Sequence, residues 1–336
     1  MTTLREQGRV NENTMLIDTM MEGIAGANAV YLVEAGKKCL IDTGPHAVAP
    51  RIIRTLKELN AFPPDYVVLT HSHYDHCQGI PLIRKMAKRE GKTVTVLASE
   101  KGIPLLEDQS WNRVFDPKER FKAINDVSPL KENEIIDLDG LSLRVINTPG
   151  HAIDQIALLD EKNSNIFVGC ALGNKWGDQL FAPPFMPPFW NQDDFYASID
   201  KLRQIPVESI SLNHFGCVNG EEEGKKLMDE AVSNYEKWWA IFESVEEAEK
   251  LDDIKALASL VKEELNLVIP DFKLQKTSLK LLLGFINALR KPIRKPPLRV
   301  GDILFPKILE MVVKGYKISK GIEVHGYRIG DSPLNS

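Results

Sequence analysis

Up to about residue 220 the apolar positions come in short runs broken by turns; beyond it they recur mainly at helical spacing. AVYLVEAG, ending at Gly36, and KKCLIDTG, ending at Gly44, read as two strands joined by a turn. Ile52, Ile53, Leu56 and Leu59 repeat at the period of a helix. Pro63 and Pro64 stop that helix, and YVVLT follows as a short apolar run suited to a buried strand. IPLIRKMAKREG predicts a helix closed by Gly91, and TVTVLAS alternates as a strand does. EIIDLD and LSLRVIN predict strands about the turn at Gly140, and IALLD with NIFVGC predicts a hairpin turned through EKNSN. FYASIDKLRQI is a helix in this reading, and ESISLNHFG a strand that ends in a loop. The succession predicts a layered α/β protein, sheet packed on sheet with helices outside.

From Glu221 to Leu265 almost every residue is a good helix former, and Ser244 with Glu247 has the pattern of a capping box starting a fresh helix. Leu279, Leu282, Leu283, Ile286 and Leu289 then recur at helical spacing, and a last helix is expected through LFPKILEMVVKGY. The chain is therefore expected to divide into residues 1–220 and a helical C-terminal region, 221–336. Its apolar stripes suit two roles: covering a site on the first part, or pairing two copies into a homodimer.

With 43% hydrophobic and 26% charged residues the 336-residue chain has the composition of an ordinary globular protein with a sizeable core. A formal net charge of -5 argues against a protein that tracks nucleic acid, which needs a basic face. No apolar run approaches the roughly 20 residues that span a bilayer, and MTTLREQGRVNENTM lacks the apolar stretch of a signal peptide. The expected location is the cytoplasm, where Cys39, Cys77, Cys170 and Cys217 would be free thiols or metal ligands.

The strongest chemical signal begins where the YVVLT strand ends. His71, His73, Asp75 and His76 place four good metal ligands within six residues, in a chain with only seven histidines. Imidazole suits zinc and iron, and the carboxylate adds charge without closing the site. One cluster cannot saturate two ions. His151 in TPGH and His214 in SLNH each follow a strand, the kind of position from which loops on a rigid sheet present chemistry.

HSHYDH, TPGH, GCALG and NHFG resemble, in order and context, the successive motifs of the metallo-β-lactamase superfamily over about residues 28–220. The resemblance implies an αβ/βα sandwich with a helical C-terminal extension, and an active site at one edge of two facing sheets. It implies that His71, His73 and His151 hold one divalent ion and Asp75, His76 and His214 a second. Zinc is the favoured ion, iron or manganese the alternatives. Asp42 in LIDTG resembles the family's buried aspartate that orients a ligand histidine. Two such ions lower the pKa of a shared water and polarise a carbonyl; by resemblance Asp75 would also steer the proton to the leaving group.

The sequence departs from the family at Gly169-Cys170, where the family has an aspartate that bridges both ions. Three readings stay open: Cys170 is a thiolate ligand, or a buried thiol beside a weakened second site, or the mark of a site that binds without hydrolysis. Mononuclear iron dioxygenases of this fold use that aspartate as their third ligand, so their chemistry is disfavoured.

THSHYDHCQGIPLI, VTVLASE and FVGCALG resemble more narrowly the 2-aminobenzoylacetyl-CoA thioesterase group, and VIPDFKLQKTSLKLLLGFINAL extends the likeness. The implied reaction is hydrolysis of an activated acyl substrate, a coenzyme A thioester first, with a lactone or another ester as alternative. The proline-stiffened run from Trp176 to Trp190 offers Trp176, Phe181, Phe185, Phe189 and Trp190 as walls for an acyl group, or else a cover for the core; Trp111 and Phe115 could add a second wall. The basic run Arg290, Lys291, Arg294, Lys295, Arg299 reads as a solvated linker, with coenzyme A phosphates or an anionic membrane as the other readings. His46 and His325 have no partner pattern; Cys39 reads as core, and Cys77 and Cys217 as packing behind ligands.

Overall fold

In the computed structural model the described residues are 3–177, 180–245, 248–270, 272–275, 277–292 and 296–324. His325, Arg294, Lys295 and Glu247 lie outside them. Seven strands form the first sheet in sequence order: β1 (Gly8–Arg9), β2 (Thr14–Asp18), β3 (Ala29–Glu34), β4 (Lys38–Ile41), β5 (Tyr66–Val68), β6 (Thr95–Ser99) and β7 (Val127–Leu130). The second sheet starts with β8 (Ile135–Asp137), β9 (Ser142–Asn147), β10 (Ile156–Asp160) and β11 (Asn165–Gly169). A separate ribbon of β12 (Asn174–Trp176) and β13 (Leu180–Ala182) intervenes, and β14 (Ser209–Leu212) and β15 (Gly216–Asn219) complete the sheet in the order β15-β14-β11-β10-β9-β8.

The alternation along β3 shows how one strand serves two cores. Ala29, Tyr31 and Val33 join Phe167, Leu158 and Val145 of the second sheet, with the Tyr31 and Phe167 rings 5.2 Å apart. Val30 and Leu32 face the other way, into a cluster with Ile52, Ile53 and Leu56 of α1 (Ala49–Glu58). The short α2 (Tyr74–Cys77) leads into α3 (Ile80–Arg89), whose Ile80 and Ile83 join that same cluster. The N-terminal strands β1 and β2, with no clear signal in the sequence, add antiparallel to β3.

Beyond the sheets come α4 (Ile103–Glu107), α5 (Gln192–Arg203), α6 (Glu221–Glu243), α7 (Ile254–Glu264), α8 (Thr277–Arg290) and α9 (Val300–Ser319). Leu227 and Ala231 of α6 and Leu309 and Val312 of α9 belong to the same core as the inter-sheet residues. Ser244 does not start a helix: it follows the last residue of α6, and its hydroxyl donates to Ile241 O at 2.7 Å. The fresh start lies at Asp253, whose side chain accepts from Ala256 N at 3.0 Å as the cap of α7. No helix among the described residues is long and apolar enough to cross a membrane.

Candidate metal centre

The parallel strands β4, β5 and β6 deliver a loop to one edge of the sandwich. There His71 Nε2 lies 3.0 Å and His151 Nε2 3.1 Å from His73 Nδ1, so three buried imidazoles aim at one point. Their outer nitrogens decide the tautomers. His151 Nδ1 donates to Pro184 O at 2.7 Å, because a carbonyl can only accept. Thr70 Oγ1 donates to Asp42 Oδ2 at 2.7 Å and accepts from His71 Nδ1 at 3.1 Å. The Nε2 lone pairs of His71 and His151 therefore face inward, toward His73 Nδ1. Burial first, and the neighbouring imidazoles after it, hold the pKa values of His71 and His73 well below the usual histidine value. Both are neutral at ordinary pH.

A second set converges beside the first. His214 Nε2 lies 3.2 Å and His76 Nε2 3.7 Å from Asp75 Oδ2, and Cys170 Sγ lies 3.3 Å from His76 Nε2. His214 Nδ1 donates to Ala27 O at 2.8 Å, and His76 Nδ1 donates to Asp42 Oδ2 at 2.8 Å. Asp42 also accepts from Thr70 N, Thr70 Oγ1 and Asn213 Nδ2. One buried carboxylate thus ties the β5 loop to β14 and fixes a ring. The backbone at Asp42 sits in the left-handed region, φ 61°, a conformation that only surrounding bonds of this kind sustain.

Charge separates this set from the first. Burial disfavours charge on His76 and His214, but the Cys170 sulfur and Asp75 outweigh it; His76 is raised well above the usual value and His214 to about 10. For Cys170, burial pushes the thiol up, yet His76 and His214 bring it well below the ordinary thiol range. Asp75 is likewise held low by His76 and His214 against the effect of burial. Cys170 is common to both clusters: His71, His151 and Cys170 have donor atoms within 4.8 Å of one another, and so do His76, Cys170 and His214. Its backbone approach needs Gly169, at φ 57°, where a side chain would meet Gln155 Nε2 at 2.4 Å and Thr70 at 2.9 Å.

This donor chemistry fits two divalent ions. Three neutral imidazoles whose inner nitrogens face one another can share at most one proton, so buried lone pairs are left converging on one point. A divalent cation at that point accepts the lone pairs together. The mixed set of two imidazoles, a carboxylate and a thiolate suits a borderline-soft ion such as zinc or iron.

A sequence model described as the metallo-beta-lactamase superfamily matches residues 23–214, which contain all seven of these donors. The chain belongs to the metallo-beta-lactamase superfamily. Its members are mostly hydrolases, and the fold typically binds divalent metal ions. The chain is 26% identical to the Drosophila melanogaster beta-lactamase-like protein 2 homolog, over 60% of this chain and 62% of that one. It is 25% identical to the Gallus gallus acyl-coenzyme A thioesterase MBLAC2, over 47% of this chain and 59% of that one. The chain thus spans about three fifths of the length of these relatives. A solved metallo-beta-lactamase from Cronobacter sakazakii, a motif mutant, shares the fold with a TM-score of 0.55 at 15% identity, covering 71% of this chain and 99% of that one.

The donors open into a cavity of about 550 Å³. His73, Asp75, His76, His151, Cys170 and His214 all line it. Of the aromatic residues expected as acyl walls, Trp176 lines the cavity and Phe181, Phe185, Phe189 and Trp190 do not. Phe185 and Trp190 are buried under α6; Phe185 meets Trp190 and Tyr235 edge-on, and Trp190 packs tilted on Tyr235. Phe181 lies beneath Lys175, and Phe189 packs on Trp111. Apolar loop residues have found the nearest core, so the cover is their role. Phe115 does line the cavity, and Trp111 backs His73 from 5.7 Å.

The opposite wall comes from the C-terminal region, for which the sequence predicts covering the site as one of two roles without naming the residues that do so. Leu304, Ile308 and Met311 of α9 line the cavity with Lys307, Glu310 and Lys314, and Met186, Asn174, Glu22 and Asp116 are among its other lining residues. The spacing of the α9 residues announced a helix with an apolar face; nothing in it announced what that face covers. Cys77 does pack behind the ligand loop, donating to Ser72 O at 3.4 Å, while Cys39 and Cys217 are buried in β4 and β15. His46 is exposed.

Proposed function

We propose that the chain is a two-metal hydrolase of an activated acyl substrate, a coenzyme A-type thioester first. The observation that carries this reading is one geometry: two donor sets sharing Cys170 in a cavity whose α9 wall sets Leu304, Ile308 and Met311 beside Lys307, Glu310 and Lys314. When bound, two divalent ions supply a strongly acidic water and a Lewis acid for a carbonyl oxygen. His71, His73 and His151 would hold one, and Asp75, His76 and His214 the other, with Cys170 as a thiolate serving both.

The remaining steps belong to side chains. Leu304, Ile308, Met311 and Trp176 receive the acyl group and exclude water from it. Asn174 lies on the cavity wall, its Oδ1 a buried acceptor without a partner among the described residues. Asp75, ionised and on the wall, accepts the proton of the attacking water and returns it to the departing sulfur. Lys314 bonds to Glu310 and to Val114 O, but Lys307 has no ion pair among the described residues and is the cation left for an anionic part of the substrate. The similarity to the acyl-coenzyme A thioesterase MBLAC2 supports the thioester within this class.

A panel of acyl-CoA, homoserine lactone and cephalosporin substrates on zinc-loaded protein tests the proposal. Acyl-CoA should be turned over with the highest kcat/KM. Preference for a lactone or cephalosporin would replace the thioester reading, and no turnover at full metal content would replace hydrolysis by ligand binding.

A further inference from the structure

Helix α8 has its apolar residues on the wrong side for a helix that ends at this protein's surface. Its inner face is half-buried: Leu283 packs on the core, and Asn287 clamps the chain leading to α9 through two bonds to Leu298, at 3.0 and 2.6 Å. Its outer face carries Leu281, Leu282, Phe285 and Leu289, which at 100° per residue fall within one arc of about 100°. These four are 70%, 54%, 63% and 59% exposed, and they make up most of the large apolar side chains that the described residues leave in solvent. Ile303, on α9 beside the cavity-lining Leu304, is a further one at 41%. A helix apolar on both faces is ordinarily buried on both.

Charge selects what covers it. From Phe272 to Gly301 the sequence contains eight basic residues and no acidic one, in a chain whose net charge is -5. Lys280 and Lys291 are exposed and have no ion pair among the described residues. Pairing α8 of two copies antiparallel would bring Lys280 of one to the level of Arg290 and Lys291 of the other, gathering like charge at each end of the pair. An anionic surface meets the same residues favourably. At 14 residues α8 is about 21 Å long, too short to cross a hydrocarbon core of about 30 Å, but long enough to lie in the interface plane.

We propose that α8 docks this protein on an anionic lipid surface, with Leu281, Leu282, Phe285 and Leu289 entering the acyl boundary and Lys280 and Lys291 meeting the headgroups. The inference does not depend on the substrate class.

The test is co-sedimentation of the full chain with vesicles of phosphatidylcholine alone or with one quarter phosphatidylglycerol, across a salt series. Binding to the anionic vesicles should be at least tenfold stronger and should weaken as salt rises. Phe285→Glu with Leu281→Glu should abolish it, and each of Lys280→Glu and Lys291→Glu should weaken it about fivefold or more. All four positions are exposed, and circular dichroism establishes that the variants are folded. Absence of binding by the folded wild type, or binding indifferent to these changes, would falsify the proposal. A dimer by light scattering that Leu281→Glu dissociates, with no vesicle binding, would overturn it in favour of a second copy.

Discussion

The two donor sets meet the fold in different ways. The three imidazoles of His71, His73 and His151 rest on neutral groups, the Thr70 hydroxyl and the Pro184 carbonyl, and His73 Nε2 is buried with no partner among the described residues. Around His76 and His214 stand Asp75, Asp42 and the Cys170 sulfur, whose pKa those two rings bring well below the ordinary thiol range. The first set therefore offers geometry and lone pairs without charge; the second offers charge, anchored through Asp42 to two elements of the sandwich. Cys170 stands at the seam. A divalent ion in the neutral set has to draw its charge compensation from that sulfur, which makes the pair interdependent although the histidines are separate.

Removing metal from both sets should have the largest effect. A site held at about 1,000 times its Kd contributes about 4 kcal/mol, so complete chelation should lower Tm by about 10 °C or more. Hydrolysis should fall by at least about a thousandfold, since the ions supply both water activation and oxyanion stabilisation. A melting temperature unmoved by chelation, with metal loss verified by elemental analysis, would mean the opposed lone pairs are relieved in another way.

Cutting the seam comes next. Cys170→Ala should reduce tightly held zinc from two ions toward one and lower kcat/KM by about a hundredfold or more. Cys170→Asp should keep two ions and shift preference from zinc toward iron or manganese, as an oxygen donor replaces sulfur. If the alanine variant retains both ions at native affinity, the thiolate is not a ligand and the two sets are independent.

Asp42→Asn bears directly on the second set, through His76, and reaches the first only through the Thr70 hydroxyl. The amide cannot accept all four donors that now converge on Asp42, among them His76 Nδ1. Zinc titration should show one site weakened about 10–100-fold and the other little changed. Equal weakening of both would show that Asp42 supports the β5 loop as a whole and not one ring.

The asymmetry of what could be read from sequence has the same physical origin. His71, His73, Asp75 and His76 are legible because they crowd into one loop after an apolar strand, and His151 and His214 because each ends a strand that the alternation predicts. The sandwich itself follows from period-two runs such as β3. The far wall was legible only as a region: Leu304, Ile308 and Met311 lie some 230 residues further on, and amphipathicity says that a helix has an inner face without saying which residues meet the site. The Trp176–Trp190 run misled for a related reason. Aromatic residues near a site bury wherever core is closest, and for Phe185 and Trp190 that core is α6. Asp154 carried no signal, since a lone aspartate after TPGH looks like any loop residue.

Asp154 supplies the smallest and finest test of the contrast. It is the buried carboxylate bordering the neutral set, three residues after His151, 2% exposed, with Oδ1 unpartnered among the described residues. Gly102 makes room for it: a side chain there would meet Oδ2 at 2.8 Å. Burial raises its pKa to about 6, with Ser72 and His151 offsetting only part of the effect. Between about pH 4 and 6 the folded state therefore keeps a proton that the unfolded chain has lost, so stability falls as pH rises through that window. At pH 7 the ionised group costs about 1–3 kcal/mol, while below pH 4 it costs nothing. Asp154→Asn is nearly isosteric with the protonated acid. Its melting curve should coincide with that of the native protein near pH 4 and exceed it at pH 7, with other titrating groups cancelling in the difference. A difference independent of pH would show that the carboxylate does not titrate in this window; a variant less stable at pH 7 would show that the first set, like the second, depends on a buried negative charge.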